Sequence, residues 1–156
     1  MTARLNPYAA HAALVQPLID YGQTVQAAGL EPALMELVKI RASQMNGCAV
    51  CLDLHIRAAR EEGETEERIY MLSAWRESSL FTAREKAALG WTEALTRLAE
   101  THAPDADYAA VMQQFSEAEA ISLTLLVGVI NSFNKLGVGF RVPPMRRSLR
   151  QAAAAA

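Results

Sequence analysis

Residues 116–136 limit the possible folds more than any other stretch of the chain. They open with Ser116-Glu-Ala-Glu119, the serine/glutamate spacing of a capping box that starts a helix. Leu123, Leu125, Leu126, Val127, Val129 and Ile130 then make the predicted helix apolar on nearly every side. Such a helix has to be enclosed. A monomer of 156 residues has little room to enclose it, so the expectation is a helical bundle in which this helix also meets a second subunit. The most apolar run, residues 121–130, is about half of the roughly 20 residues a membrane span requires, so no transmembrane helix is expected.

Other helix punctuation points the same way. Leu14, Leu18 and Val25 recur at helical spacing between Pro7 and about Ala28, where Pro17 is expected to kink or break the segment and Gly29 to stop it. Pro32 suits the first turn of a second helix running to about Met45, with Leu34, Leu37, Val38, Arg41 and Met45 on its apolar stripe. Arg41 would need a carboxylate partner if buried. Asn46-Gly47 is a turn signal, and Gly63 is a plausible cap for the helix that follows it. A short helix is expected near residues 66–74, and Thr82 with Glu85 forms a second capping box, opening a helix to about Glu100. No segment alternates with period two between turn residues, so the fold class is all-α. Residues 1–150 are read as one domain, and 151–156 as an alanine-rich tail without packing information.

The chemistry concentrates in residues 36–55, ELVKIRASQMNGCAVCLDLH. Both cysteines of the chain are there, three apart as Cys48 and Cys51, with His55 four residues after the second and Glu36 twelve before the first. On a helix, Cys48, Cys51, Leu52, His55 and Ala59 share one stripe. A thiol reacts as its thiolate, and a helix N-terminus, a neighbouring base and the CxxC arrangement all lower its pKa. The helix terminus favours Cys48 as the stronger acid, whereas His55 one turn on favours Cys51. Glu36 can orient His55 or pass protons, but as a fixed anion it would oppose thiolate formation. The expected reaction is attack of a thiolate on a peroxide, condensation of the sulfenic acid with the second thiol, and reset by a dithiol.

These residues resemble a family. Glu36, eleven residues, Cys48-Ala-Val-Cys51, three residues and His55 match the signature of the AhpD-like alkylhydroperoxidases of the carboxymuconolactone decarboxylase superfamily. LVKIRASQMNGC before the cysteines and INSFNKLGVGFRVPP over residues 130–144 are similar to stretches common in that family. The resemblance implies an all-helical, AhpD-like bundle assembled as trimers or hexamers. It also implies Cys51 as the peroxidatic cysteine, Cys48 as the resolving one, Glu36 and His55 as proton relay, and a lipoyl-type or thioredoxin-like dithiol as reductant. One position departs from it: some members carry histidine between the cysteines, where this chain has Val50.

Composition narrows the rest. A hydrophobic share of 51% and a formal net charge of -2 argue against disorder and against general binding to nucleic acid. The N-terminal residues show no uninterrupted apolar stretch before a small-residue cleavage site, so the expected compartment is the cytoplasm, where a CxxC pair is more often redox-active or metal-binding than structural. No cofactor is expected. The competing reading is a metal-binding or redox-sensing oligomer using the same four residues, although three ligands on one helix splay poorly around a tetrahedral ion. Asn131 and Asn134 are expected to satisfy cross-helix hydrogen bonds, and Trp75 and Trp91 to fill core or interface. Arg141, Arg146, Arg147 and Arg150 form a small basic tail, read as solvated or inter-subunit.

Overall fold

The computed structural model describes residues 2–144, and these form helices and turns with no strand among them. After a short turn of helix α1 (Pro7–Ala10), the chain breaks at His11 and resumes as α2 (Ala12–Gln26). Pro17 lies inside α2 without ending it, so of the kink or break expected from the sequence the break does not occur. Ala13, whose carbonyl loses its helical N–H partner to the proline, is an exposed residue, on the side of α2 that solvent reaches. The buried positions of α2 are Val15, Gly22 and Val25; Leu14, one residue out of register, is 80% exposed.

Helix α3 (Pro32–Asn46) begins at its proline and ends at Gly47, whose φ of 66° is the left-handed cap conformation that favours glycine. Leu37, Val38 and Ile40 are fully buried along it. Helix α4 (Ala49–Glu61) follows at once with Cys48 as N-cap, and Gly63 takes a left-handed φ of 91° after its end. A short α5 (Glu66–Met71) runs into a 3-10 turn, Leu72–Ala74. Both predicted capping boxes are complete, with Thr82 and Glu85 opening α6 (Ala83–Thr96).

Helix α6 stops four residues short of the expected Glu100, because the Thr101 hydroxyl donates to the Ala94 carbonyl at 2.6 Å in place of the helical N–H. A turn of helix, α7 (Leu98–Thr101), follows. The apolar pattern does not announce α8 (Asp105–Gln114), in which only Val111 is buried. Ser116 and Glu119 open the last helix, α9 (Glu117–Gly139).

Helix α9 is the axis of the bundle. It packs against α2, α3, α4, α6 and α8, burying Leu123, Leu126, Val127 and Ile130. Taken over its 23 residues it is long and apolar enough to cross a membrane, which the shorter run counted in the sequence did not reveal. Here that apolarity faces other helices, although Ile121, Leu125 and Val138 remain 61%, 40% and 45% exposed. Arg41 finds its carboxylate, with its guanidinium 2.7 Å from Glu93, and the Trp75 indole N–H donates to the same carboxylate. Trp91 is also in the core, donating to the Thr124 hydroxyl. Arg146, Arg147, Arg150 and the 151–156 tail lie outside the described residues.

Candidate functional site

The corner between α3 and α4 sets the site. Asn46, the last residue of α3, donates to the side-chain carbonyls of Asn131 and Asn134 on α9 at 2.7 and 2.9 Å, and Asn134 donates to the Ser43 hydroxyl. These bonds tie the residues just before the cysteines to the central helix, the cross-helix role the sequence suggested for both asparagines. Gly47 then reverses the chain, and the Cys48 N–H donates to the Ser43 carbonyl at 3.0 Å.

Cys48 and Cys51 are joined as a disulfide with Cα atoms 5.4 Å apart. They pack against Ala42 and Ile130, with Val50 and Phe133 alongside. Gly137 of α9 faces them so closely that a Cβ there would sit 2.6 Å from the Cys48 sulfur. The two sulfurs are not equivalent. Both are buried, Cys48 at 1% and Cys51 at 6% exposure, but it is Cys51 that lines a cleft of about 570 Å³ together with His55. Tyr8, Ile19, Val50, Leu54 and Phe133 make much of that cleft apolar. Burial pushes the Tyr8 phenol up, so it remains a neutral hydroxyl at the cleft wall.

Glu36, one helical layer behind, joins this group. His55 Nδ1 donates to Glu36 Oε2 at 2.8 Å, and Lys39 Nζ donates to Glu36 Oε1 at 2.7 Å. Burial alone would push the Glu36 carboxyl up, but the hydrogen bonds from His55 and Lys39 and the lysine's charge outweigh it and hold the group below the usual carboxylate range. With an ionised Glu36 accepting from Nδ1–H, the lone pair of an unprotonated His55 ring sits on Nε2. All four sequence candidates therefore come together: Glu36 with His55 by hydrogen bond, His55 with Cys51 along the cleft, and Cys51 with Cys48 by covalent bond.

Sequence reasoning missed three neighbours. Lys39 stands three residues after Glu36 on one helix, a spacing that signals an ion pair. Gly137, a glycine inside an apolar helix, costs about 1 kcal/mol relative to alanine and so also signals a packing reason. Gln26, which accepts from Lys39 at 3.0 Å, comes from α2 and has no local signal.

Comparison with known proteins places this arrangement. The sequence pattern described as the carboxymuconolactone decarboxylase family matches residues 12–94. The chain belongs to that family. It is similar to the uncharacterized protein YdfG of Bacillus subtilis, at 36% identity over 138 residues, spanning 88% of this chain and 94% of that one. It also matches the crystal structure of a protein of unknown function from Agrobacterium tumefaciens, described as a candidate antioxidant defence protein AhpD. The two share 38% identity and a TM-score of 0.91, over 94% of this chain and all of the other. An uncharacterized peroxidase-related protein from Silicibacter sp. TM1040 has the same fold at 19% identity, with a TM-score of 0.77 over 88% of this chain and 73% of that one. The family member described here thus has the AhpD-like all-α fold and a CxxC disulfide, which together support a thiol-based redox role of the oxidoreductase kind.

Proposed function

We propose that this protein is a thiol-dependent peroxidase of the AhpD-like type, with Cys51 as the attacking thiol, Cys48 as the resolving thiol, and Glu36 and His55 handling protons. The observation that carries this reading is the unequal placement of the two sulfurs. Cys51 borders the cleft beside a histidine oriented by an ionised carboxylate, while Cys48 is enclosed behind it. A substrate in the cleft reaches Cys51 first.

In the proposed cycle His55 Nε2 takes the Cys51 proton. The thiolate sulfur attacks the outer peroxide oxygen, the O–O bond breaks, and the departing alkoxide recovers the proton from His55 as an alcohol. Cys51 is then a sulfenic acid. The Cys48 sulfur displaces its hydroxyl, which leaves as water with the Cys48 proton, and the disulfide forms. An external dithiol of lipoyl or thioredoxin-like type restores both thiols by exchange and is itself oxidised to a disulfide. The balance is one hydroperoxide and one dithiol to one alcohol, one water and one disulfide. The apolar lining of the cleft favours an organic hydroperoxide over hydrogen peroxide.

The test is stopped-flow oxidation of the pre-reduced protein by tert-butyl hydroperoxide and by hydrogen peroxide, with thiols counted before and after. Both thiols of each chain should be lost, a dithiol should restore them, and Cys51→Ser should consume no peroxide. Peroxide consumption by Cys51→Ser would overturn the assignment. The competing metal-binding reading draws less support, because both oxygens of Glu36 are engaged by His55 and Lys39. No three His, Cys, Asp or Glu side chains converge as a ligand set among the described residues.

A homo-oligomer, trimeric or hexameric, placed in the cytoplasm completes the proposal; the exposed Ile121 and Leu125 beside Tyr108 on the outer face of α8 and α9 support the assembly. Light scattering should report a multiple of the 17.0 kDa chain; a monomer mass would refute it.

A further inference from the structure

Lys39 takes no part in the cycle above, yet it is among the most deeply placed charges in the protein, 4% exposed. Its ammonium donates to Glu36 Oε1 at 2.7 Å and to Gln26 Oε1 at 3.0 Å, while the other Glu36 oxygen accepts from His55. It does not line the cleft; Gln26 stands between it and that space. The other charged or titratable groups around the pair are few. Asp53 and Arg57 on α4 are bonded to each other, Tyr8 is a neutral phenol, and α2 presents Gln23 and Gln26.

Charge accounting at this spot has one consequence for His55. A buried carboxylate needs a compensating cation. With Lys39 present, Glu36 is compensated whether His55 carries a proton or not. Without it, imidazolium would be the one cation bonded to Glu36 among the described residues, and the carboxylate would hold the proton on His55. An imidazolium has no basic nitrogen left with which to take the Cys51 proton.

We propose that Lys39 is a positioning residue that compensates Glu36, so that His55 is free to accept and return a proton, with Gln26 holding the ammonium on the outer carboxylate oxygen. Its importance to catalysis rests on the peroxidase reading, but the charge coupling itself can be measured without turnover.

The experiment is an NMR titration of the His55 ring protons in the disulfide form, where no thiol titrates. It compares the wild-type protein with Lys39→Met, Lys39→Arg and Glu36→Gln, and the His55 signal is assigned by its absence in His55→Gln. Lys39→Met should raise the midpoint by about one pH unit or more, and Lys39→Arg should leave it near the wild-type value. An unchanged midpoint in Lys39→Met overturns the proposal. Should that variant fail to fold, Glu36→Gln decides. It leaves the ammonium uncompensated, and the midpoint should fall below the ordinary histidine value of about 6.5, whereas a value at or above it overturns the coupling. If the midpoints move as expected but the wild-type protein consumes no peroxide, the Lys39 coupling stands and the peroxidase reading falls.

Discussion

Gly137 of α9 leaves the space that the Cys48 sulfur fills, and a single methyl there tests how firmly the disulfide is seated. In Gly137→Ala the new Cβ would meet the Cys48 sulfur at 2.6 Å and Val50 Cγ1 at 3.0 Å. Alanine would gain about 1 kcal/mol of helix propensity. A sulfur tied to Cys51 cannot swing aside, however, so the clash should win. The expected net loss is about 1–3 kcal/mol for the disulfide form, read from urea unfolding. An unchanged midpoint would show that α9 shifts instead. At this scale the sequence was most legible where spacing is local. Glu36, Cys48, Cys51 and His55 lie within one helix pair, and their grouping follows from helical period and one turn. Gln26 and Gly137 reach the same place from distant parts of the chain, which no period can reveal.

Among the elements, the capping signals were the most reliable marks in the sequence. Ser116 accepts from the Glu119 N–H while the Glu119 carboxylate accepts from the Ser116 N–H and hydroxyl, and Arg84 adds an ion pair at 2.7 Å. Ser116→Ala should therefore lower stability by about 1 kcal/mol, visible as a lower unfolding midpoint. A loss well under this would mean that packing of α9 alone sets its start. Elements went astray where a tertiary contact outranked a local preference. Helix α6 ends early because Thr101 captures a carbonyl, and α2 continues past Pro17 on a side where Ala13, one turn before the proline, is exposed. Helix α8 buries one residue alone, so it had no stripe to show.

Across the whole molecule the charge network sets the response to acid. Glu31, Glu36, Glu85 and Glu93 are all held below the usual carboxylate range, and Glu119 is held down to about 2 by the hydrogen bonds of Ser116 and then Arg84. For Glu36, Glu85 and Glu93 burial pushes the other way and is outweighed by their donors. Each group has a lower pKa folded than unfolded, so the unfolded chain binds more protons. The stabilisation is complete above the unfolded value, about 4.3, and is lost as pH falls through the folded values. The melting temperature should thus be flat near neutrality and fall steadily below about pH 5; a flat profile down to pH 3 would refute the linkage.

The sequence by itself determined the all-α class, the start of the long central helix and the corner that carries the cysteines, because each depends on helical period, caps and one glycine turn. It also determined the family, through a spacing of Glu, CxxC and His that local chemistry explains. Tertiary structure alone decided which sulfur meets the cleft and which is enclosed, since α9 closes over Cys48 at Gly137. It alone decided that Glu36 and Lys39 are buried together and that Gln26 of α2 accepts from the lysine, because burial and cross-helix contacts are properties of the packed bundle and not of any one stretch of chain.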